Sequence, residues 1–199
     1  MPCEYRSMSP EERAAVVAHR REHGYPLHAP PHPCREGGWY FLTAANFQHK
    51  PVMHSPDRRD EFETRLLEAF RSIGADIGGW VILPNHYHIV AGVNSLDTVS
   101  QLLKQLHGPT SRRWNQADGT TGRRRVWFKF TDRRVRGERH YYQALNYIHY
   151  NPLKHGHASD PYAWLSSSVY LYFDTKGREW LRVTWREFPV GTFGSDWDD

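Results

Sequence analysis

The stretch that most constrains this chain is Gly78-Gly79-Trp80-Val81-Ile82-Leu83-Pro84-Asn85-His86-Tyr87-His88-Ile89-Val90-Ala91-Gly92-Val93. It is the longest apolar run, β-branched and bounded by glycine. It is too short to cross a bilayer as a helix, so it reads as buried strand. Pro84-Asn85 breaks it as a turn, which predicts two strands, Asp76 to Leu83 and Tyr87 to Val93. Residues two apart on a strand project from one face, so His86 and His88 point together and Tyr87 points away. Two imidazoles on a rigid strand can hold a divalent metal, with a third ligand supplied from elsewhere. Taken alone, His-x-His is equally one core histidine beside one surface histidine.

The segments around it alternate in a readable order. Ser9-Pro10-Glu11-Glu12 supplies an N-cap, a proline at the first helical position and a glutamate at the third, predicting a helix over 9–23 that ends near Gly24. Tyr25 to Pro33 is rich in proline and reads as an irregular arm, with His28 and His32 as solvated loop residues. Trp39 to Phe47 has strand character. Residues 57–74 carry Phe62, Leu66, Leu67, Phe70 and Ile73 at helical spacing, with Gly74 as C-cap. Ser95 to Trp114 repeats that pattern with Leu96, Val99, Leu102, Leu103 and Leu106. Val126 to Phe130 reads as a further strand, and Glu138 to Asn151 as a third long helix stopped by Pro152. A hairpin is expected around Lys176-Gly177. From residue 38 the order is strand, helix, strand, strand, helix, strand. This is the α+β, ferredoxin-like split βαβ pattern, an antiparallel sheet with helices on one face. The domains expected are an arm over 1–37, a central domain over 38–172 and a tail over 173–199.

Composition narrows the function classes. With 199 residues, 39% hydrophobic content, eight Trp, eleven Tyr and nine Phe, the chain can bury a core of one domain, which excludes wholesale disorder. The net charge is +4, but between Lys104 and Arg139 eleven Lys/Arg face three Asp/Glu, so one segment holds the whole excess. A concentrated basic segment suits a polyanionic partner. Cys3 and Cys34 make neither a disulfide framework nor a zinc pattern and suit a reducing compartment. No signal-peptide pattern opens the sequence, so a cytoplasmic protein with no membrane partner is expected.

The third helix carries Asn146-Tyr147-Ile148-His149-Tyr150-Asn151-Pro152-Leu153-Lys154-His155-Gly156. Tyr147 and Asn151 lie one turn apart on one face, whereas His149 turns away. A tyrosine hydroxyl beside a metal can attack a phosphate, and an amide oxygen is a hard ligand for Mg²⁺ or Mn²⁺. Read singly, Tyr147 is equally an amphipathic core residue.

Together, Pro84-Asn85, His86-Tyr87-His88, Trp127-Phe128-x-Phe130-x-Asp132-Arg133, Tyr147-Ile148-x-x-Asn151-Pro152-x-Lys154-x-Gly156 and Trp164-Leu165-Ser166-Ser167-Ser168 resemble the REP-associated tyrosine transposases, single-tyrosine HUH enzymes. The resemblance covers roughly residues 38–172. It implies a DNA transposition enzyme that nicks and rejoins single-stranded DNA at hairpin-forming repeats, acting on the nucleoid as a monomer. By motif match the metal ligands are His86, His88 and Asn151, holding Mg²⁺ or Mn²⁺, and the nucleophile is Tyr147. Tyr150 is the rival nucleophile, and His149 or His155 the rival third ligand. Arg112, Arg113, Arg123, Arg124, Arg125, Lys129, Arg133, Arg134, Arg136 and Arg139 are the expected DNA-binding residues, with Trp127, Phe128 and Phe130 interleaved as stacking surfaces. The competing readings are a catalytically silent, host-retained DNA-binding module on the same fold and a zinc hydrolase. The hydrolase lacks a carboxylate placed near the histidines.

Overall fold

The computed structural model describes residues 9–22, 36–120 and 124–194. It divides into two compact units, Met1–Glu36 and Gly37–Asp199. In the first unit, helix α1 (Pro10–Glu22) opens on the expected reciprocal cap. Glu12 N–H donates to Ser9 Oγ at 3.2 Å and Ser9 N–H to Glu12 Oε2 at 2.7 Å. The arm residues His28 and His32 and both cysteines lie outside the described residues.

In the second unit the elements are β1 (Glu36–Ala45), α2 (Pro56–Ser72), β2 (Asp76–Ile82), β3 (His86–Ser95), α3 (Leu96–Ala117), β4 (Thr131–Arg134), α4 (Glu138–Lys154) and α5 (Val169–Glu187). The four strands form one antiparallel sheet in the order β2-β3-β1-β4, the split βαβ arrangement. Ser55 and Ser95 cap α2 and α3, each side chain accepting a backbone N–H of the first turn.

Strand alternation divides the core in two. Tyr40, Leu42, Ile82, Tyr87, Ile89 and Ala91 face α2 and α3, where Phe62, Leu66, Phe70, Val99 and Leu103 meet them. Phe41, Val81, Leu83 and Val90 project from the other face and are covered by Ala144, Tyr147 and Ile148 of α4. The two crossover helices therefore share one face, as expected, and α4 takes the second. Its close approach needs Gly79: a Cβ there would lie 2.6 Å from Leu145 Cδ1.

Three expected elements differ. Val126 to Phe130 is not the fourth strand. Val126 and Trp127 satisfy their burial, at 2% and 7% exposed, by plugging the core as irregular chain, with Trp127 bridging Asn46. The ladder to β1 falls instead on Thr131–Arg134, pairing Phe41 with Arg133. An edge strand buries little and therefore carries no apolar signature. Helix α4 does not stop at Asn151 but continues to Lys154 with Pro152 inside it. The helix loses the one bond that an N–H at 152 would give the Ile148 carbonyl, and burial of the Pro152 ring holds it through that loss. The expected hairpin at Lys176-Gly177 is helix: α5 runs through it with a break at Gly177, φ 83°. Beyond residue 172, Leu181 and Thr184 are buried, and Asn146 Nδ2–H donates to Thr184 O at 3.0 Å, so α5 packs against α4.

Segment 164–168 straps the outer edge of the sheet. Trp164 Nε1–H donates to Ile82 O, Ile82 N–H to Ser166 O and Ser168 N–H to Trp80 O, at 3.0, 2.9 and 2.9 Å. This covers the free side of β2.

A half-buried histidine stands against the aromatic core. His107 lies against Trp127, ring centroids 4.2 Å apart, and its Nε2 accepts from the Tyr87 hydroxyl at 3.0 Å. Burial lowers its pKa from 6.5 to about 3. Below 6.5 the unfolded chain binds a proton that the folded chain refuses, so folding stability is lost as pH falls from there. The urea midpoint is expected to drop between about pH 7 and about pH 4.5, with His107→Gln flattening the slope. An unchanged slope in that variant would exclude His107 as a source.

Candidate active site

The site forms on the α4 face of the sheet. Backbone alternation turns Thr43 of β1 and His86 and His88 of β3 the same way. All the candidate centre is buried: His86 is 3%, His88 0%, Tyr147 1% and Asn151 0% exposed. His86 and His88 stand edge to face at 4.9 Å, and His88 meets Tyr147 at 5.4 Å. Across the gap, His86 Nε2 lies 3.2 Å from Asn151 Oδ1. The four residues expected at the centre are therefore brought together, two from a strand and two from a helix.

Both histidines are held through Nδ1. His86 Nδ1–H donates to Asn85 Oδ1 at 2.8 Å, and His88 Nδ1 bonds Thr43 Oγ1 at 2.7 Å. In the tautomer Asn85 selects, His86 Nε2 presents a lone pair to the lone pairs of Asn151 Oδ1. A cation between the two acceptors relieves their repulsion, and so does turning the amide over, which puts Nδ2–H on the imidazole. The gap matches adjacent ligands about one cation with bonds of about 2.1 Å, which stand about 3.0 Å apart. Hydrogen bonding of the remote ring nitrogen is what orients an imidazole as a ligand. Among the described residues, no group of three His, Cys, Asp or Glu side chains is arranged to hold a metal ion; a trio at this place would take the amide of Asn151 as its third donor.

Of the rivals, His149 and Tyr150 fall elsewhere, whereas His155 stays beside the site. His149 turns away: its Nε2 bonds Ser168 Oγ at 3.1 Å, and burial lowers its pKa to about 3. His155 reaches the rim, its ring 5.0 Å from His86 with the helix intact. Tyr150 is 50% exposed on another side of α4.

Three neighbours of Tyr147 carried no role in the sequence. Lys154 Nζ–H donates to Tyr147 Oη at 3.1 Å and to Gly194 O at 3.2 Å. The spacing of seven residues, two helical turns, is the signal that places both on one face. Gly194, at φ 77°, lays its backbone on the phenol: a Cβ there would come 2.8 Å from Oη. Phe193 packs on Phe41 and Tyr147, with ring centroids 5.5 Å apart in both pairs. Nothing in the local sequence links residue 194 to residue 147.

The basic residues divide by what they touch. Arg113 pairs with Glu61, and Arg124 with Asp118 at 2.7 Å. Arg58 joins the same carboxylate and, with Arg124, holds it at about 2. Arg133 is half-buried near Tyr147, and burial lowers its pKa. Arg112, Arg125, Lys129, Arg136 and Arg139 are exposed, and Arg134 is half-buried in β4. Arg123 lies outside the described residues. Trp127 is buried and Phe130 packs on the core, leaving Phe128 as the exposed ring.

The chain is 23% identical over 140 residues to the REP-associated tyrosine transposase of Escherichia coli (strain K12), spanning 68% of this chain and 78% of that protein. A solved structure of a REP-associated tyrosine transposase bound to a REP hairpin superimposes with a TM-score of 0.59 at 19% identity, over 74% of this chain and 87% of that one. The fold is shared. No family model matches the chain. No helix among the described residues is long and apolar enough to cross a membrane.

Proposed function

We propose that this chain is a metal-dependent transposase that nicks and rejoins single-stranded DNA at hairpin-forming repeats through a tyrosine nucleophile. The observation that carries the reading is the convergence of Tyr147 with His86, His88 and Asn151 in one buried cluster. The likeness to REP-associated tyrosine transposases, one of them bound to a REP hairpin, supports hairpin DNA as the substrate. Mg²⁺ or Mn²⁺ held by the two imidazoles and the amide oxygen would neutralise charge on the scissile phosphate.

Tyr147 Oη attacks the phosphorus, the P–O3′ bond breaks, and the departing oxygen takes a proton to become a 3′-hydroxyl. The 5′-phosphate stays on the tyrosine. One phosphodiester replaces another, so rejoining by a second 3′-hydroxyl needs no external energy. Lys154, 3.1 Å from the phenol oxygen, favours the phenolate that must form. Thr43 and Asn85 orient the histidine rings. In this reading the protein works as a monomer on the nucleoid in the cytoplasm, its own Tyr147 serving its own metal site.

The test is incubation with Mn²⁺ and a labelled single-stranded hairpin from the gene's own flanks, followed by a denaturing protein gel. A labelled adduct that EDTA prevents is expected. Tight, salt-sensitive binding without any adduct on such hairpins would replace this reading with the silent DNA-binding module.

Attack also requires the space that Gly194 fills. Deleting residues 190–199 is expected to raise the rate of adduct formation severalfold on the same gel. A rate that falls while the fold is kept would mean that the tail assists substrate binding.

A further inference from the structure

Where β1 ends, the turn Phe47–His49 meets segment 124–130. Phe47 N–H donates to Val126 O at 2.7 Å and Phe128 N–H to Ala45 O at 2.9 Å. This pairing sends Trp127 inward and Phe128 outward, at 47% exposed. The Phe128 ring stacks on Phe47, centroids 6.4 Å apart and planes 26° apart. The Arg125 guanidinium lies 4.7 Å from the Phe47 ring centre and 5.3 Å from that of Phe128. Arg125 Nε–H is tethered to Trp127 O at 3.1 Å. Neither phenylalanine belongs to either core cluster.

The turn that presents Phe47 is strained. Gln48 and His49 both take left-handed backbone conformations, φ 59° and 51°, which non-glycine residues adopt at a cost. An exposed ring, the half-buried ring beneath it and a cation are aligned by backbone pairing and a strained turn, and no core packing explains the exposed one.

Their position supplies one. Asn46 N–H donates to Asn85 O at 2.7 Å, and Asn85 Oδ1 holds His86 Nδ1. The aromatic pair thus sits two hydrogen bonds from a candidate metal ligand, at the end of the strand that carries Thr43. We infer that Phe128, backed by Phe47 and Arg125, is a stacking platform for a nucleobase of the single strand entering the active site. An exposed ring stacks any base, and a guanidinium beside it can contact the adjoining phosphate or the base face. The inference rests on the single-stranded DNA reading above and adds a binding subsite to it.

Anisotropy of a labelled oligothymidylate of about 12 nucleotides tests it. Phe128→Ala is expected to bind roughly 5- to 150-fold more weakly with an unchanged salt slope. Because the ring is exposed, the melting temperature should hold. Arg125→Ala should lower the salt slope by about one. Phe128→Trp should retain binding, and its added indole fluorescence should be quenched by the oligonucleotide. If Phe128→Ala binds as tightly as wild type while wild type still forms the adduct, the platform is wrong and the transposase reading stands. If wild type neither binds the oligothymidylate nor forms an adduct, both fail.

Discussion

Tyr147→Phe is expected to abolish covalent capture of single-stranded DNA, a loss on the order of 10³-fold or more in adduct rate. The substitution removes one oxygen and keeps the ring. Phe41, His88 and Phe193 pack against that ring at 5.8, 5.4 and 5.5 Å, and all three contacts survive. What is lost for stability is the hydrogen bond from Lys154, worth about 1 kcal/mol, or a few degrees in melting temperature for a domain of this size. Activity and stability therefore separate cleanly in this variant. Binding of the hairpin should persist, because the residues proposed to contact phosphate are others. Tyr150→Phe, on a half-exposed side chain away from the histidines, should leave the adduct intact. An adduct that survives Tyr147→Phe and disappears in Tyr150→Phe would overturn the assignment of the nucleophile and leave the fold untouched.

The largest effect on stability is expected from Phe62→Ala. Phe62 is fully buried at the centre of an aromatic cluster, 5.0 Å from Trp127, 5.2 Å from Tyr87 and 5.7 Å from Trp114. These rings come from a loop, a strand and a helix whose backbones are tied elsewhere, so the space left by the phenyl group cannot collapse. The cost should be about 3–5 kcal/mol, lowering the melting temperature by about 10 °C or more. Urea unfolding measures it through the midpoint at constant slope. A loss under about 1 kcal/mol would mean the cluster repacks. Tyr87 stands between His86 and His88 on β3, its ring on the core face and theirs on the site face. Loosening the cluster should therefore also reduce adduct formation at temperatures the wild type tolerates.

The elements that could be read from sequence are those whose periodicity reports burial on one face. The hairpin of β2 and β3, helices α2 and α3, and the shared face of His86 and His88 all follow from spacing alone. So does the shared face of Tyr147 and Asn151. The failures have a common cause. Val126 and Trp127 look like strand because they must be buried, yet burial can be met without a ladder. Thr131–Arg134 forms the ladder but, as a short edge strand, has no apolar stripe to announce it. At Pro152 a local rule lost to tertiary burial, and at Gly177 a turn signal became a break within a helix.

Which side chains stand together on each element is legible from the residue spacing, because it depends only on the repeat of strand and helix. The assembled fold is what brings the β3 histidines and the α4 tyrosine face to face across one gap. It also decided that Lys154 and Gly194 meet the phenol, that Arg113 and Arg124 are engaged by carboxylates, and that Phe47 and Phe128 stack beside the site. Those juxtapositions join residues tens of positions apart. They are selected by the burial of the whole chain, and no local pattern encodes that.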